Sequence, residues 1–176
     1  MHVIRTIKIR IWYYPKNRHQ KLLDHFMFCS VLMLCFGNIC RSPVAEGLLK
    51  KISLIHKMDL IVSSAGIYHG TANQPAQPHS ITVAREHGID IRQHRARVLN
   101  HDIIHQHELI LVADEEIKKI TIHQYPSASG KIKRMGHFRD QDIEDPYQKS
   151  KKEFDIMFNN IDTCLKDWLK NVWKIS

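Results

Sequence analysis

The sequence predicts an α/β fold of three layers, in which a four-stranded parallel sheet lies between helices on both faces. Short apolar segments of strand length alternate along the chain with longer segments whose apolar residues recur at helical spacing. Strands that alternate with helices are typical of a parallel sheet covered on both sides. With 176 residues, the chain is long enough to build one such domain with a sizeable core.

The first half of the chain contains two predicted strands and two predicted helices. The first strand is expected at residues 31–34, where the apolar run Val-Leu-Met-Leu leads into a Gly-Asn turn. A helix is expected to open at Pro43, because proline suits the first helical turn, where its missing N–H has no partner. The second strand is expected at residues 60–62. A loop rich in Gly, Pro and Asn at residues 66–78 then leads to a helix that ends near Gly88.

The second half completes the sheet and ends in a long helix. A third strand is expected at residues 108–112, closed by Asp114 and a short helix, and a weaker fourth strand at residues 131–135. A polar, acidic loop at residues 140–147 follows. The final helix is amphipathic, with apolar residues close to helical spacing at Phe154, Met157, Phe158, Ile161, Leu165, Trp168 and Leu169.

The basic charge of the chain is concentrated at its N-terminus. Six Lys or Arg and one acid give residues 1–26 a net charge of +5, which leaves +3 for the rest of a chain whose total is +8. A solvated basic tail explains this distribution, so no nucleic-acid partner is predicted. We expect residues 1–26 to be an extension outside the fold: either Met27 is the natural start, or the extension is dispensable. Residues 27–176 are expected to form a single domain.

Cysteine content and hydropathy favour a reducing, cytoplasmic setting without insertion into a membrane. Four cysteines are too few for a disulfide-stapled secreted domain of this size, and Cys29 and Cys164 are expected to be small buried apolar residues. The longest apolar run, residues 26–36, is shorter than the roughly 18 residues of a membrane span. No metal site is predicted, because the spacing of His101, His105 and His107 fits no zinc pattern.

The residues after the first strand carry the features of an anion site with a reactive thiol. They read Cys35-Phe36-Gly37-Asn38-Ile39-Cys40-Arg41-Ser42-Pro43. In parallel sheets, ligands lie beyond the carboxyl ends of the strands, which is where Cys35 is expected. The N–H groups of a tight turn and of the helix that follows can converge on one anion and favour the thiolate form of Cys35.

Three other residue types in this segment suit the same chemistry. The planar guanidinium of Arg41 can hold two phosphate oxygens, which a lysine cannot do. The hydroxyl of Ser42 can donate to the sulfur. Gly37 and Asn38 tolerate the positive φ that a looped cradle requires.

The segment closely resembles the phosphate-binding loop of the low-molecular-weight protein tyrosine phosphatases. The resemblance covers roughly residues 27–172 in order and spacing and includes Ala45-Glu46-Gly47, Ser63-Ser64-Ala65-Gly66, His94-Arg95-Ala96-Arg97 and Asp145-Pro146-Tyr147. It implies the three-layer fold of that family and a protein-tyrosine-phosphatase that works through a cysteinyl-phosphate without metal or cofactor. It also implies that Cys35 is the nucleophile, Arg41 the phosphate clamp and Asp145 the general acid.

The resemblance assigns supporting roles to further residues. Those that bind the substrate are Phe36, Gly37, Asn38, Ile39, Cys40, Ser42 and Tyr147. Those that hold the loop are Asn38, Ser42, Ser64 and His94. Tyr147 is expected to form one aromatic wall of the cleft, and Tyr68 is the nearest candidate for the other. A reversible disulfide between Cys35 and Cys40 would protect the nucleophile from overoxidation.

Two segments resemble the bacterial members that are paired with capsule or exopolysaccharide tyrosine autokinases. They are Gly136-His137-Phe138 and Gln148-Lys149-Ser150. The resemblance implies phosphotyrosine proteins as substrates, among them a membrane tyrosine autokinase of polysaccharide export. The chain departs from the common family pattern at three places, which read Ala76-Gln77-Pro78, Ala113-Asp114 and Gln148.

Three alternatives share parts of this pattern. An arsenate reductase on the same scaffold does not need the Asp-Pro-Tyr acid, and the thioredoxin-linked kind needs a late pair of cysteines where this chain has only Cys164. Relatives that act on phosphoarginine resemble the loop with Thr in place of Ile39. A phosphate-binding module without catalysis would lack Cys35, Arg41 or Asp145, and this chain has all three.

Overall fold

A computed structural model describes residues 28–175 and confirms the predicted sheet. Its four parallel strands lie in the order β2-β1-β3-β4. They are β1 (Ser30–Cys35), β2 (Ile61–Gly66), β3 (Leu109–Val112) and β4 (Ile132–Arg134). The extension predicted for residues 1–26 lies outside the described residues.

Helices cover both faces of the sheet, as the sequence predicts. The α-helices of the described residues are α1 (Arg41–Ile55), α2 (Pro78–Glu86), α3 (His101–His105), α4 (Glu115–Gln124) and α5 (Lys151–Asn171). Helices α1, α2 and α5 contact one another on one face. On the other face, α3 and α4 pack against alternate residues of the same strands. The three layers therefore enclose two apolar clusters, one on each side of the sheet.

The continuous apolar run of β1 follows from its central position in the sheet. Val31 and Met33 point into the cluster beneath α1 and α5, whereas Leu32 and Leu34 point into the cluster beneath α3 and α4. All four side chains are fully buried. Because both faces of this strand are covered, polar and apolar residues do not alternate along it, and it appears in the sequence as an unbroken apolar run.

Several element boundaries differ from those predicted. Helix α1 begins at Arg41, so Pro43 is its third residue, still within the turn whose N–H groups lack helical partners. Helix α3 was not predicted; it begins where the side chain of Asn100 accepts a hydrogen bond from Ile103 N at 2.9 Å. Its five residues are too few to show a clear helical period.

The two cysteines outside the Cys35 segment differ in burial. Cys164 is 1% exposed, which confirms the prediction. Cys29 is exposed, so the prediction of a buried residue is wrong. It lies just before β1 begins, outside the strand that the helices cover on both faces, and its backbone N–H donates to Glu108 Oε2 at 2.6 Å.

Residues 28–175 include no candidate for a membrane-spanning helix or for a metal-binding cluster. None of the helices there combines the length and the apolar character needed to cross a bilayer. No group of three or more His, Cys, Asp or Glu side chains in the same range is arranged to hold a metal ion.

The carboxyl ends of three strands meet at one edge of the sheet. In the strand register, Cys35 is opposite Gly66, and Leu34 is opposite both Ala65 and Val112. The loops that follow β1, β2 and β3 therefore leave the sheet side by side. This edge contains the site described next.

Candidate active site

The segment after β1 folds into a tight loop around the sulfur of Cys35. We call residues 35–42 the Cys35 loop. Cys35 is 2% exposed, and its Sγ accepts a hydrogen bond from Asn38 N at 3.3 Å and lies 3.0 Å from Ser42 Oγ. The positive φ predicted for the loop is present at Asn38, at 54°, and not at Gly37. Gly37 instead lies close to Thr71, whose Oγ1 donates to the Gly37 carbonyl at 2.8 Å.

The structure brings together the four side chains that were predicted to hold the loop. Asn38 Nδ2 donates to Ser42 Oγ and to Ser64 Oγ, both at 2.8 Å. Asn38 Oδ1 accepts from Arg97 N at 2.8 Å, a contact that the sequence did not reveal. Burial lowers the pKa of His94, so its ring is neutral at pH 7, and its Nε2–H is placed to donate to the Asn38 carbonyl at 2.7 Å. Asn38 is thus fixed through its side chain and its backbone.

Arg41, the first residue of α1, is buried at the end of the Cys35 loop. Its guanidinium donates to Asp114 Oδ2 at 2.7 Å, to Asp145 Oδ2 at 2.6 Å and to the Ile143 carbonyl at 3.1 Å. Burial opposes its charge, but the neighbouring Cys35, Asp145 and Asp114 outweigh burial, and the pKa of Arg41 is raised.

One donor of the Arg41 guanidinium is left over. Among the described residues, Arg41 Nε is the only buried side-chain nitrogen or oxygen without a hydrogen-bond partner. Buried donors are nearly always paired, so this nitrogen suits an anion bound in the loop.

The loop after β4 brings Asp145 to the same place. Ile143 N donates to the Ala113 carbonyl at 2.9 Å, which attaches this loop to the end of β3. Arg134, on β4, donates to Asp142 Oδ1 at 2.9 Å. Asp145 Oδ1 accepts from Tyr147 N at 3.1 Å, and 41% of the Asp145 side chain is exposed. The carboxyl group therefore lies at the rim of the site, where it can meet both Arg41 and solvent.

These groups share one cavity of about 120 Å³. Its lining consists of Cys35, Phe36, Gly37, Ile39, Cys40, Arg41, Tyr68, Thr71, Asp145 and Tyr147. The rings of Phe36 and Tyr68 are stacked, with centroids 5.0 Å apart and planes 12° apart, and Tyr147 lines the cavity from the Asp145 loop. The side chains of Asn38 and Ser42 are fully buried and support the loop from behind.

The two thiols of the cavity have different surroundings. The pKa of Cys40 is raised to about 12, mainly because the thiol is buried. This thiol therefore stays protonated at neutral pH and does not compete with Cys35 as a nucleophile. Both Cys35 and Cys40 are free thiols in the structure. Cys35 is the one whose sulfur lies against the loop N–H and the Ser42 hydroxyl.

Sequence patterns did not identify two residues that shape the site. Asp114 holds Arg41 through one oxygen and caps α4 through the other, which accepts from Ile117 N at 2.7 Å. Gly66 ends β2 directly opposite Cys35. The sequence signal that could have found them is their position. Asp114 comes soon after β3 and Gly66 ends β2, and both of these strands neighbour β1.

Replacing Gly66 by alanine is expected to displace the Cys35 loop. A Cβ at this position would lie 2.6 Å from the Phe36 carbonyl oxygen and 2.8 Å from Asn38 N, both of which are backbone atoms. We expect a loss of about 1–3 kcal/mol of unfolding free energy, as in other overpacked sites, together with weaker phosphate binding. Urea unfolding and phosphate protection of Cys35 against alkylation measure the two effects.

The matched control for this prediction is Gly130→Ala, since a Cβ there meets nothing within 4 Å. Wild-type stability and wild-type phosphate protection in Gly66→Ala would contradict the predicted clash.

The arrangement combines a thiol nucleophile, an anion cradle and a carboxyl group at its rim. Such a set supports displacement at the phosphorus of a phosphate ester: the thiol attacks, the cradle holds the oxygens and the carboxyl group moves a proton. The aromatic side chains at the mouth suit an aromatic ester.

Comparison with known proteins agrees with this geometry. The family model described as low molecular weight phosphotyrosine protein phosphatase matches residues 30–175. The low molecular weight protein-tyrosine-phosphatase Ptp of Acinetobacter johnsonii is 38% identical over 145 residues, which cover 82% of this chain and 99% of that protein. A probable phosphatase of the same kind, EpsP of Ralstonia solanacearum, is 34% identical over 83% of this chain and 97% of its own length.

A solved structure shows the same fold. Wzb of Vibrio vulnificus, in complex with benzylphosphonate, superposes with a TM-score of 0.77 at 32% identity, over 82% of this chain and 99% of that chain.

Proposed function

Because the chain belongs to the low molecular weight phosphotyrosine protein phosphatase family, and is thus a protein-tyrosine-phosphatase, we propose that it hydrolyses phosphotyrosine through a covalent cysteinyl-phosphate on Cys35. The observation that carries this proposal is the shared cavity. Cys35 Sγ lies there at 3.3 Å from a loop N–H, and Arg41 and Asp145 line the same walls.

The first step transfers the phosphoryl group to the enzyme. The Cys35 thiolate attacks phosphorus, the bond from phosphorus to the phenolic oxygen breaks, and Asp145 gives its proton to that oxygen. Arg41 and the loop N–H groups stabilise the charge on the equatorial oxygens. Arg41 is paired with Asp145 in the free protein, so the incoming phosphate must replace the Asp145 carboxylate as the partner of the guanidinium. This exchange frees Asp145, whose carboxylate takes up a proton from solvent once Arg41 has left it, and the protonated side chain turns toward the leaving oxygen.

The second step releases phosphate. Water attacks the phosphorus of the cysteinyl-phosphate, Asp145 accepts the proton of that water, and the bond between sulfur and phosphorus breaks. Cys35 leaves as a thiolate, and the Ser42 hydroxyl at 3.0 Å and the Asn38 N–H at 3.3 Å stabilise its charge. Both groups favour departure because they already face the sulfur.

Aromatic walls support a preference for phosphotyrosine over other phosphate esters. Phe36, Tyr68 and Tyr147 are each about half exposed at the mouth of the cavity, where a phenyl ring can pack between them. The Vibrio vulnificus relative holds benzylphosphonate, which joins an aromatic ring to a phosphate-like group. Ile39 lines the cavity where the phosphoarginine enzymes have Thr, so the lining favours an aromatic ring over a guanidinium group.

The substrate that we propose is a tyrosine autokinase of polysaccharide export, met in the cytoplasm. The support is the resemblance of residues 136–138 and 148–150 to the phosphatases paired with such kinases, together with the similarity to proteins named EpsP and Wzb. The exposed mouth of the cavity suits a phosphotyrosine on an accessible segment of a protein.

Turnover of a phosphotyrosine peptide by the full chain, without added metal, tests the proposed activity. Phosphoserine and phosphoarginine peptides are the substrate controls, and arsenate with a thiol reductant tests the reductase alternative. We expect phosphate release from the phosphotyrosine peptide and little from the controls. Arsenate reduction with negligible phosphotyrosine turnover would overturn the proposal.

A further inference from the structure

Glu46, on α1, extends the hydrogen-bond network behind the Cys35 loop, although no step of the proposed reaction uses it. Its Oε2 accepts a hydrogen bond from Ser64 Oγ at 2.5 Å, and its Oε1 pairs with Lys50, one helical turn further along α1. Ser64 is 1% exposed, and the Glu46 side chain is 18% exposed. Glu46 thus joins the helix that begins with Arg41 to the buried hydroxyl on β2.

The direction of each hydrogen bond follows from the number of hydrogens available. A serine hydroxyl has one hydrogen, and a carboxylate only accepts, so Ser64 donates to Glu46 and offers its lone pairs to Asn38 Nδ2 at 2.8 Å. The amide cannot be reversed, because Asn38 Oδ1 accepts from Arg97 N at 2.8 Å. Glu46 therefore keeps Ser64 in the role of an acceptor for Asn38.

The other hydrogen of the Asn38 amide continues the chain to the sulfur. Asn38 Nδ2 donates to Ser42 Oγ at 2.8 Å, so the hydrogen of Ser42 is left to donate elsewhere. Cys35 Sγ, at 3.0 Å, is nearer than the Ala65 carbonyl, at 3.4 Å, and a thiolate is the stronger acceptor. The backbone N–H of the same Asn38 also points at Cys35 Sγ, at 3.3 Å. Both donors to the sulfur thus depend on how Asn38 is held.

We propose that Glu46 is a positioning residue that acts through Ser64 and Asn38 to keep these two donors on the Cys35 sulfur and on the phosphate bound there. The inference rests on the proposed function for its relevance to catalysis, but phosphate binding reports on it without turnover. Removing the Glu46 carboxylate leaves the buried Ser64 hydroxyl without its acceptor, which loosens Asn38 and the N–H groups of the loop.

The ion pair between Glu46 and Lys50 does not account for this role. Lys50 is 52% exposed, and exposed pairs one turn apart on a helix contribute little to stability. Lys50→Met breaks the pair and keeps the contact between Glu46 and Ser64, so it is the matched control.

The experiment measures how inorganic phosphate protects Cys35 of the full chain from alkylation by iodoacetamide. In Glu46→Ala we expect the phosphate concentration for half-protection to rise about tenfold, the effect of losing one buried hydrogen bond. Glu46→Gln is expected to stay close to the wild type, because its amide oxygen can accept from Ser64. Lys50→Met is expected to match the wild type.

A double-mutant cycle separates positioning from general loss of structure. In a Ser64→Ala background, Glu46→Ala is expected to cause no further loss of protection, because its partner is already gone. Additive losses in the cycle, equal losses in Glu46→Ala and Glu46→Gln, or unchanged protection in Glu46→Ala would each overturn the proposal.

Turnover distinguishes this proposal from the proposed function. If the wild-type chain binds phosphate but does not hydrolyse the phosphotyrosine peptide, the proposed function is wrong. The protection of Cys35 by phosphate in the Glu46 variants then still decides the role of Glu46. Full turnover by the wild type with unchanged protection in Glu46→Ala would defeat the role of Glu46 alone.

Discussion

Replacing Cys35 by serine is expected to lower phosphotyrosine turnover by at least about 10⁴-fold, the scale of losing a covalent nucleophile. A serine hydroxyl in this loop stays protonated, and no histidine or carboxylate contacts Sγ in the described structure to remove its proton. The loop N–H groups and Arg41 are unchanged by the substitution, so phosphate binding is expected to remain within a few-fold of the wild type.

Rapid quenching followed by mass spectrometry tests the covalent step directly. Wild-type protein mixed with a phosphotyrosine peptide is expected to carry a phosphoryl group on the peptide that contains Cys35, and Cys35→Ser is expected to carry far less there at the same quench times. Cys29→Ser is the matched control, because Cys29 precedes the opposite end of β1 and is exposed. Turnover near the wild-type rate in Cys35→Ser would contradict the assigned nucleophile.

The Cys35 loop could be predicted from sequence because its determinants are local. A buried strand, residues suited to a tight turn and the start of a helix follow one another within a dozen residues, and the structure places them as expected. Apolar runs show that a strand is buried but not where the sheet begins, which is why the prediction for Cys29 failed. Asn38 adopts the positive φ, whereas Gly37 does not, and a Cβ at Gly37 would lie 3.4 Å from Thr71.

Two neighbours of the loop, Asp114 and Gly66, could not be predicted from sequence patterns, because their positions depend on the order and register of the strands. Asp114 follows β3, and it reaches Arg41 only because β3 lies next to β1 in the sheet. Gly66 must lack a side chain because the strand register brings it against the backbone of the Cys35 loop. Order and register are properties of the whole sheet, and a single sequence without the fold does not specify them.

Replacing Asp145 by asparagine is expected to lower kcat for a phosphotyrosine peptide by about 10²–10⁴-fold, the usual contribution of a general acid. Asparagine keeps the shape of the side chain but cannot give a proton to the phenolic oxygen. For an aryl phosphate with a strongly acidic phenol, such as 2,4-dinitrophenyl phosphate, the loss in the first step is expected to be much smaller, because that leaving group departs without a proton. Steady-state and burst kinetics with both substrates measure the difference.

The ion pair between Asp145 and Arg41 adds a second expected effect of the same substitution. In the free protein the carboxylate competes with phosphate for the guanidinium, at 2.6 Å, and asparagine carries no charge to compete. Phosphate affinity is therefore expected to rise a few-fold in Asp145→Asn while kcat falls, a combination that simple damage to the site would not produce.

Glu144→Gln is the matched control for Asp145→Asn, because Glu144 is the exposed neighbour on the same loop. It is expected to keep wild-type kinetics with both substrates. If the rate of the first step, measured from the burst, fell equally on good and poor leaving groups in Asp145→Asn, and phosphate binding weakened, Asp145 would act by holding Arg41 in place and not by donating a proton to the leaving group. The leaving group would then draw its proton from solvent, and the proposed mechanism would have to be rebuilt around the pair of Arg41 and Asp114.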